Sequence, residues 1–243
     1  MSKTALITGA SRGIGEAIAI ALAENGYNLS LCCHSSQNEL ESLGAGLRLK
    51  YHIDVITHIG DVGDFNFVST MVSDTLEHFG SVDVLINNAG ISMVGLLSDM
   101  SVEEWDKIIA TNLSSVFYTS KCVIPSMVSH KSGHIIQISS VWGSVGASCE
   151  VAYSACKGGI NSFTRALGKE LAPSHIQVNA IACGCIDTSM NNCFSPEEKA
   201  ELAEEIPAGR FGEASEVAQM VVALLNTPEY LNAQIITLDG GWT

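Results

Sequence analysis

The chain has 243 residues, 47% hydrophobic and only 16% charged, which permits a large buried core and argues against extensive disorder. Its formal net charge of −14 argues against nucleic acid and anionic membranes, whose phosphates need Lys and Arg partners. Eight cysteines (Cys32, Cys33, Cys122, Cys149, Cys156, Cys183, Cys185 and Cys193) make no C-x-x-C pair, which disfavours a zinc or redox dithiol site. Dispersed thiols suit a reducing compartment.

"KTALITG" reads as a buried strand ending in glycine, with no signal peptide before it. "IGEAIAIALAENG" follows as a helix stopped at Gly26, then "YNLSLCC" as a second strand. "NELESLGAGLRLKY" is helical but weakened by Gly44 and Gly46. "VITHIGDV" is a third strand, "FVSTMVSDTLEHFG" a helix and "VDVLINNAG" a fourth strand. The last is nearly all apolar, as a parallel strand covered on both faces would be. Residues 101–130 give two helices or one bent one, opened by a capping box of Ser101 and Glu104. "GHIIQISS" is the fifth strand, followed by a long helix from Val151 closed by Pro173. "IQVNAIA" is the sixth, then come helices "SPEEKAELAEE" and "EASEVAQMVVALLN" and a last strand, "AQIITLDGG". No apolar run reaches the roughly 18 residues of a membrane span, and a cytoplasmic protein is expected.

Strand and helix alternate without linker or repeat. That predicts one α/β domain over 1–243, a doubly wound parallel sheet of about seven strands with helices on both faces. Gly9, Ser11, Arg12, Gly13, Ile14 and Gly15 lie between the first strand and the first helix. Glycines let a backbone approach a phosphate there, and the helix start offers unpaired N–H groups. The spacing is TGxxxGxG rather than the commoner GxGxxG. In "VAYSACKGG", Tyr153 and Lys157 lie four apart on one helical face among small residues.

"TGASRGIG", "NNAG" at Asn87–Gly90, a serine thirteen residues before a tyrosine, and Tyr-x-x-x-Lys occur in order along the whole chain. The sequence resembles the short-chain dehydrogenase/reductase family. "NLSSVF" and "IPAGRFGEASEVA" are most similar to its 3-oxoacyl-[acyl-carrier-protein] reductases. The resemblance implies NADPH-dependent reduction of a 3-oxoacyl thioester. In it Tyr153 is the acid/base, and Lys157 lowers the phenol's pKa and bonds the nicotinamide ribose. Ser140 bonds the substrate oxygen, with Ser139 a competing candidate. Asn112 resembles the asparagine that holds a water between the lysine and solvent.

For the cofactor, the resemblance implies NADP(H). The second strand ends in "LCCHSS", without the acid that bonds an adenosine ribose, and Arg12, with His34 and Ser35 nearby, is placed to meet a 2′-phosphate. Asp61 and Val62 resemble the adenine contacts. Asn88, Ala89 and Gly90 resemble the ribose side, and Ile186 and Thr188 the segment beside the nicotinamide. Family members are usually tetramers. The helices around 112–127 and 153–171, with Ala155, Gly158, Gly159 and Ala166, are expected to pair between subunits.

Two departures qualify the resemblance. Cys183-Gly184 stands where Pro-Gly is usual, so a looser turn is expected before a substrate lid at 187–205, with a thiol near the nicotinamide. A docking surface for acidic acyl carrier protein has only His130, Lys131, His134, Arg165, Lys169 and His175 to draw on. His130 and His134 lack a third ligand, so no metal is expected. Other carbonyl substrates (acetoacetyl-CoA, a steroid, a sugar, a small ketone) stay open. A non-catalytic dinucleotide-binding regulator is disfavoured because both Tyr153 and Lys157 are present.

Overall fold

A computed structural model describes residues 2–193 and 195–243, apart from the side chains of Asn192 and Cys193. The Cys193 thiol counted above therefore lies outside the described part. Seven parallel strands form the main sheet: β1 (Thr4–Thr8), β2 (Asn28–Cys33), β3 (Val55–Ile59), β4 (Val84–Asn87), β5 (Gly133–Ser140), β6 (Ile176–Cys183) and β9 (Ile235–Leu238). Their order is β3-β2-β1-β4-β5-β6-β9, so the winding reverses between β1 and β4. In such sheets a crevice opens at that reversal, beyond the carboxyl ends of the strands. Two further strands, β7 (Ile186–Asp187) and β8 (Gly212–Glu213), pair only with each other. At two residues each they carry no readable period.

Side-chain alternation splits the interior into two layers. Ala5 and Ile7 face α1 (Gly13–Glu24) and α9 (Ala214–Leu225), packing with Ile18, Leu22, Val217 and Val221. Leu6 faces the other way, with Leu85 and Ile135, onto Val68 and Met71 of α3 (Phe65–Phe79) and Val123 and Met127 of α5 (Ser115–His130). A strand buried on both faces must be apolar at every position, which is why these segments read as continuous hydrophobic runs.

The helix α2 (Gln37–Tyr51) runs unbroken through both glycines that were expected to weaken it. A Cβ at Gly44 would lie 3.3 Å from Thr57 Cγ2, so the missing side chain lets the helix settle on β3. Helix α4 (Val102–Ile109) opens with the expected capping box of Ser101 and Glu104. Residues 101–130 are one bent unit, because a π-turn at Ala110–Ser114 joins α4 to α5. The short α6 (Trp142–Val145) follows β5, and α7 (Val151–Leu171) and α8 (Pro196–Glu205) complete the helices.

Candidate active site

The chain turns at the end of β1 into a loop that Thr8 and Asn88 lace to the end of β4. The Thr8 hydroxyl accepts from the backbone N–H groups of Asn88 and Ala89, each at 3.0 Å. Asn88 Nδ2 donates to the carbonyls of Thr8 and Gly9, also at 3.0 Å. A Cβ at Gly15 would lie 2.2 Å from the Gly9 oxygen, so only glycine lets the start of α1 come this close. Gly9 and Gly13 hold positive φ, at 67° and 58°. Arg12 at the N-cap makes no side-chain bond to the first turn of α1, leaving its N–H groups available to a phosphate. Ser11 reaches the Cys33 thiol at the end of β2. His34 and Ser35 are exposed just beyond. Thr188 packs beside Gly13, and Ile186 is buried behind it in β7. Asp61 accepts from the Gly63 N–H at 2.8 Å, with Val62 buried beside it. The shaped glycine turn, uncapped helix start and laced second loop fit a dinucleotide.

Asn112 lies in the π-turn, 1% exposed. Its Oδ1 accepts from the Ile91 N–H at 2.9 Å, and its Nδ2 donates to the carbonyls of Ile91 and Ile108. The side chain thus pins the segment after Gly90 to the bent helix. A Cβ at Gly90 would sit 2.6 Å from Asn112 Oδ1, so the glycine is part of this contact.

Helix α7 places Tyr153 and Lys157 beside the carboxyl end of β5. Lys157 is 4% exposed; its Nζ donates to the Ile138 carbonyl at 2.8 Å and lies 5.3 Å from the centre of the Tyr153 ring. Burial lowers the lysine's pKa to about 8, against a weaker upward push from the Cys183 and Cys156 thiols. The Ser140 hydroxyl lies near enough to the Tyr153 phenol to pull its pKa down, and it accepts from the Trp142 N–H at 3.2 Å. Ser139 donates to Asn161 Oδ1 at 2.7 Å and is engaged away from the phenol. Trp142, two residues beyond Ser140, meets Trp242 edge-on with ring centres 5.0 Å apart.

The phenol departs from expectation. Burial pushes the Tyr153 pKa above its ordinary value; Cys183, Glu150 and Cys156 push the same way, and the Ser140 hydroxyl pulls back. The lowering expected from Lys157 is not among these influences: its ammonium lies 5.3 Å from the ring centre and is bonded to the Ile138 carbonyl. The Cys183 turn also differs. Cys183 pairs in register with Ser140 and Leu238, and its carbonyl accepts from the Val141 N–H at 3.0 Å. The next N–H, that of Gly184, donates to the Leu238 carbonyl at 2.9 Å, so the turn is tied into the sheet rather than loosened. The thiol is 5% exposed, and burial pushes its pKa up to about 12, which leaves it protonated and inert near neutrality.

The helices named for subunit pairing are partly used within the chain. A Cβ at Gly159 would lie 3.2 Å from Leu113, and one at Gly158 3.4 Å from the Gly143 carbonyl. Ala155 and Ala166 remain exposed. His130 ends α5 while His134 lies in β5, where burial lowers its pKa. The described residues include no group of three or more His, Cys, Asp or Glu placed to hold a metal, and no helix long and apolar enough to cross a membrane. Sequence reasoning missed Trp142 beside Ser140, and it read Thr8 in the glycine loop without its bonds to Asn88 and Ala89. Only their positions beside the named motifs could have flagged them.

The short chain dehydrogenase family model matches residues 3–199. An uncharacterized oxidoreductase, YmfI, of Bacillus subtilis is 39% identical over 243 residues, covering 100% of this chain and 99% of the relative. The 3-oxoacyl-[acyl-carrier-protein] reductase FabG of Staphylococcus aureus is 39% identical over 242 residues, covering 99% and 98%. A crystal structure of an actinorhodin polyketide ketoreductase variant with NADPH superposes with a TM-score of 0.93 at 33% identity, covering 99% of this chain and 97% of that one. With this sheet order, glycine turn and Tyr-x-x-x-Lys helix, the chain belongs to the short-chain dehydrogenase family, oxidoreductases that use a nicotinamide dinucleotide.

Proposed function

We propose that the protein reduces 3-oxoacyl thioesters with NADPH, and that residues 1–243 act as one catalytic unit. The observation that carries this reading is the Ser140 hydroxyl beside the Tyr153 phenol at the carboxyl end of β5, with the Lys157 ammonium 5.3 Å from the centre of the phenol ring. The nicotinamide, when bound, supplies the hydride. Ser140 and Tyr153 then hold the ketone oxygen between two hydroxyls, and Tyr153 gives it a proton as it becomes an alcohol. Burial favours the protonated phenol, which suits it as the donor in reduction. Lys157, with a pKa of about 8, holds a proton at neutral pH and can return one to the phenol. Asn112 acts through position, by fixing the segment after Gly90.

Arg12, exposed at the start of α1, and the absence of an acid at the end of β2 support NADPH over NADH. Gly9, Ser11, Gly13, Ile14 and Gly15 would cradle the phosphates, His34 and Ser35 the adenosine side, Asp61 and Val62 the adenine. Asn88 to Gly90 would line the ribose, and Ile186 and Thr188 the nicotinamide. The protonated thiols of Cys32, Cys156 and Cys183 suit the reducing cytoplasm. The likeness to FabG supports a thioester, on acyl carrier protein or coenzyme A.

NADPH oxidation is measured with acetoacetyl thioesters of carrier protein, of coenzyme A and of N-acetylcysteamine, beside a steroid, sugar and small-ketone panel. We expect turnover of the thioesters. A Tyr153→Phe variant is expected to bind NADPH normally and to lose roughly 10²–10⁴ in kcat. Turnover confined to the other ketones removes the substrate assignment. An unimpaired phenylalanine variant removes the mechanism.

A further inference from the structure

Three residues before Tyr153, at the corner that starts α7, stands a carboxylate the mechanism does not use. Ser92, two residues beyond Gly90, donates its hydroxyl to Glu150 Oε1. The Gly95 N–H donates to the Cys149 carbonyl at 2.8 Å, so two bonds tie this corner to the segment after β4. On the α7 side, the Ser154 N–H donates to the Glu150 carbonyl at 2.8 Å, and Ser154 Oγ accepts from the Ala147 N–H at 3.1 Å. Cys149 holds φ at 64°, a left-handed conformation that disfavours a side chain. Such outliers persist where surrounding bonds over-determine them, and they gather at ligand clamps. Here the strained corner and its bonds hold Glu150 between the segment that follows the cofactor loop and the helix of the reacting phenol.

We propose that Glu150 is a specificity-determining residue: its carboxylate, anchored by Ser92 beside Tyr153, turns away ketones that carry a negative charge next to the reacting carbonyl and leaves the site to neutral thioesters and esters. The inference rests on the ketoreductase reading and deepens it. A 3-oxo acid and its ester share the reacting ketone and differ in one charge, two carbons away. A substrate whose ketone oxygen lies between Ser140 and Tyr153 brings that charge toward the anchored carboxylate. Glu150 already raises the phenol's pKa, so its field reaches the reacting position. The opposing cation, Lys157, is bonded to the Ile138 carbonyl and buried beneath the ring. The same field costs a neutral thioester little, because it carries no net charge there.

The test compares free acetoacetate with methyl acetoacetate under saturating NADPH, in the parent and in Glu150→Gln. The amide keeps an oxygen to accept from Ser92 and removes only the charge. The parent is expected to prefer the ester strongly. Glu150→Gln is expected to raise the acetoacetate-to-ester ratio of kcat/KM about tenfold, with the ester within about threefold of the parent. Added salt should raise that ratio in the parent and leave the variant nearly flat, a response that packing alone would not give. An unchanged ratio in the variant, a salt-independent ratio in the parent, or a parent that takes both alike overturns the proposal while the ketoreductase reading stands. A parent inactive on the ester and on every thioester takes down both.

Discussion

Lys157 is a cation held where water scarcely reaches it, and the cost is readable as pH dependence. Its folded pKa is about 8 and its ordinary value 10.5. Between those values the unfolded chain holds a proton that the folded one lacks, so this group's contribution to stability rises with pH. Below 8 both states are protonated and the burial penalty is felt in full. The Cys156 and Cys183 thiols, raised from 9.0 to about 11 and about 12, act in the opposite sense, and only above pH 9. The window from 8 to 9 therefore belongs to the lysine. Lys157→Met is expected to gain stability relative to the parent near neutrality. That advantage should shrink by roughly 1 kcal/mol between about pH 7.5 and about pH 9 in urea titrations. A constant difference across the range would mean the ammonium is not buried. Arg12 gives a second residue-level prediction: Arg12→Ala should weaken NADPH binding about tenfold or more in calorimetry and leave NADH nearly unchanged. The shared helical face of Tyr153 and Lys157 and the place of Ser140 at a strand end were legible in the sequence as spacing, and their roles only through the family resemblance. The direction of the phenol's shift was not legible, because it depends on burial and on Cys183 of β6, a strand the motif does not contain.

At the scale of elements, the π-turn between α4 and α5 carries the most consequence. An α-helix satisfies its own backbone, whereas this turn presents Asn112 to a separate segment, ties it with two bonds to Ile91 and makes a third back to Ile108 of α4. Asn112→Ala leaves the Ile91 N–H and two carbonyls without those partners in a buried site. Denaturation should show a loss of about 2–3 kcal/mol. Activity should fall with it, since Gly90, beside the pinned Ile91, belongs to the segment proposed to line the ribose. Asn112→Asp, which keeps the acceptor, is expected to lie between; equal stability of all three would refute the pinning role. Sequence left residues 101–130 open as two helices or one bent one and gave neither the place nor the kind of the bend, since a π-turn differs from an α-helix by one residue of register. The capping box at Ser101 was legible because it is local; the structure adds a second, where Ser195 bonds Glu198 as Ser101 bonds Glu104. The pairing of β7 with β8 joins segments 26 residues apart through a register of two pairs, which no local pattern announces.

At the scale of the molecule, alternation of strand and helix was enough to read a doubly wound parallel sheet of about seven strands, though not the order of those strands. Right-handed crossovers and burial on both faces leave few other ways to wind it. Subunit assembly is less legible, because the glycines that suggested close approach between chains serve packing within this one. Phe117 on α5 is 49% exposed and Val102 on α4 71%, so apolar surface remains on these helices. A tetramer buries such surface, and sedimentation at micromolar concentration is expected to give about four times the 25.7 kDa chain mass. A monomer would contradict that.

The contact between Trp142 and Trp242 ties the far end of the chain to the turn beside Ser140. Asp239 holds that end closed, accepting from the Gly241 and Thr243 N–H groups at 2.9 and 2.8 Å. Whatever is joined after Thr243 therefore pulls on the ring that packs against Trp142, whose N–H is bonded to Ser140. A purification handle is better fused ahead of Ser2, and comparing the two placements would show how far the segment from Asp239 to Thr243 shapes turnover.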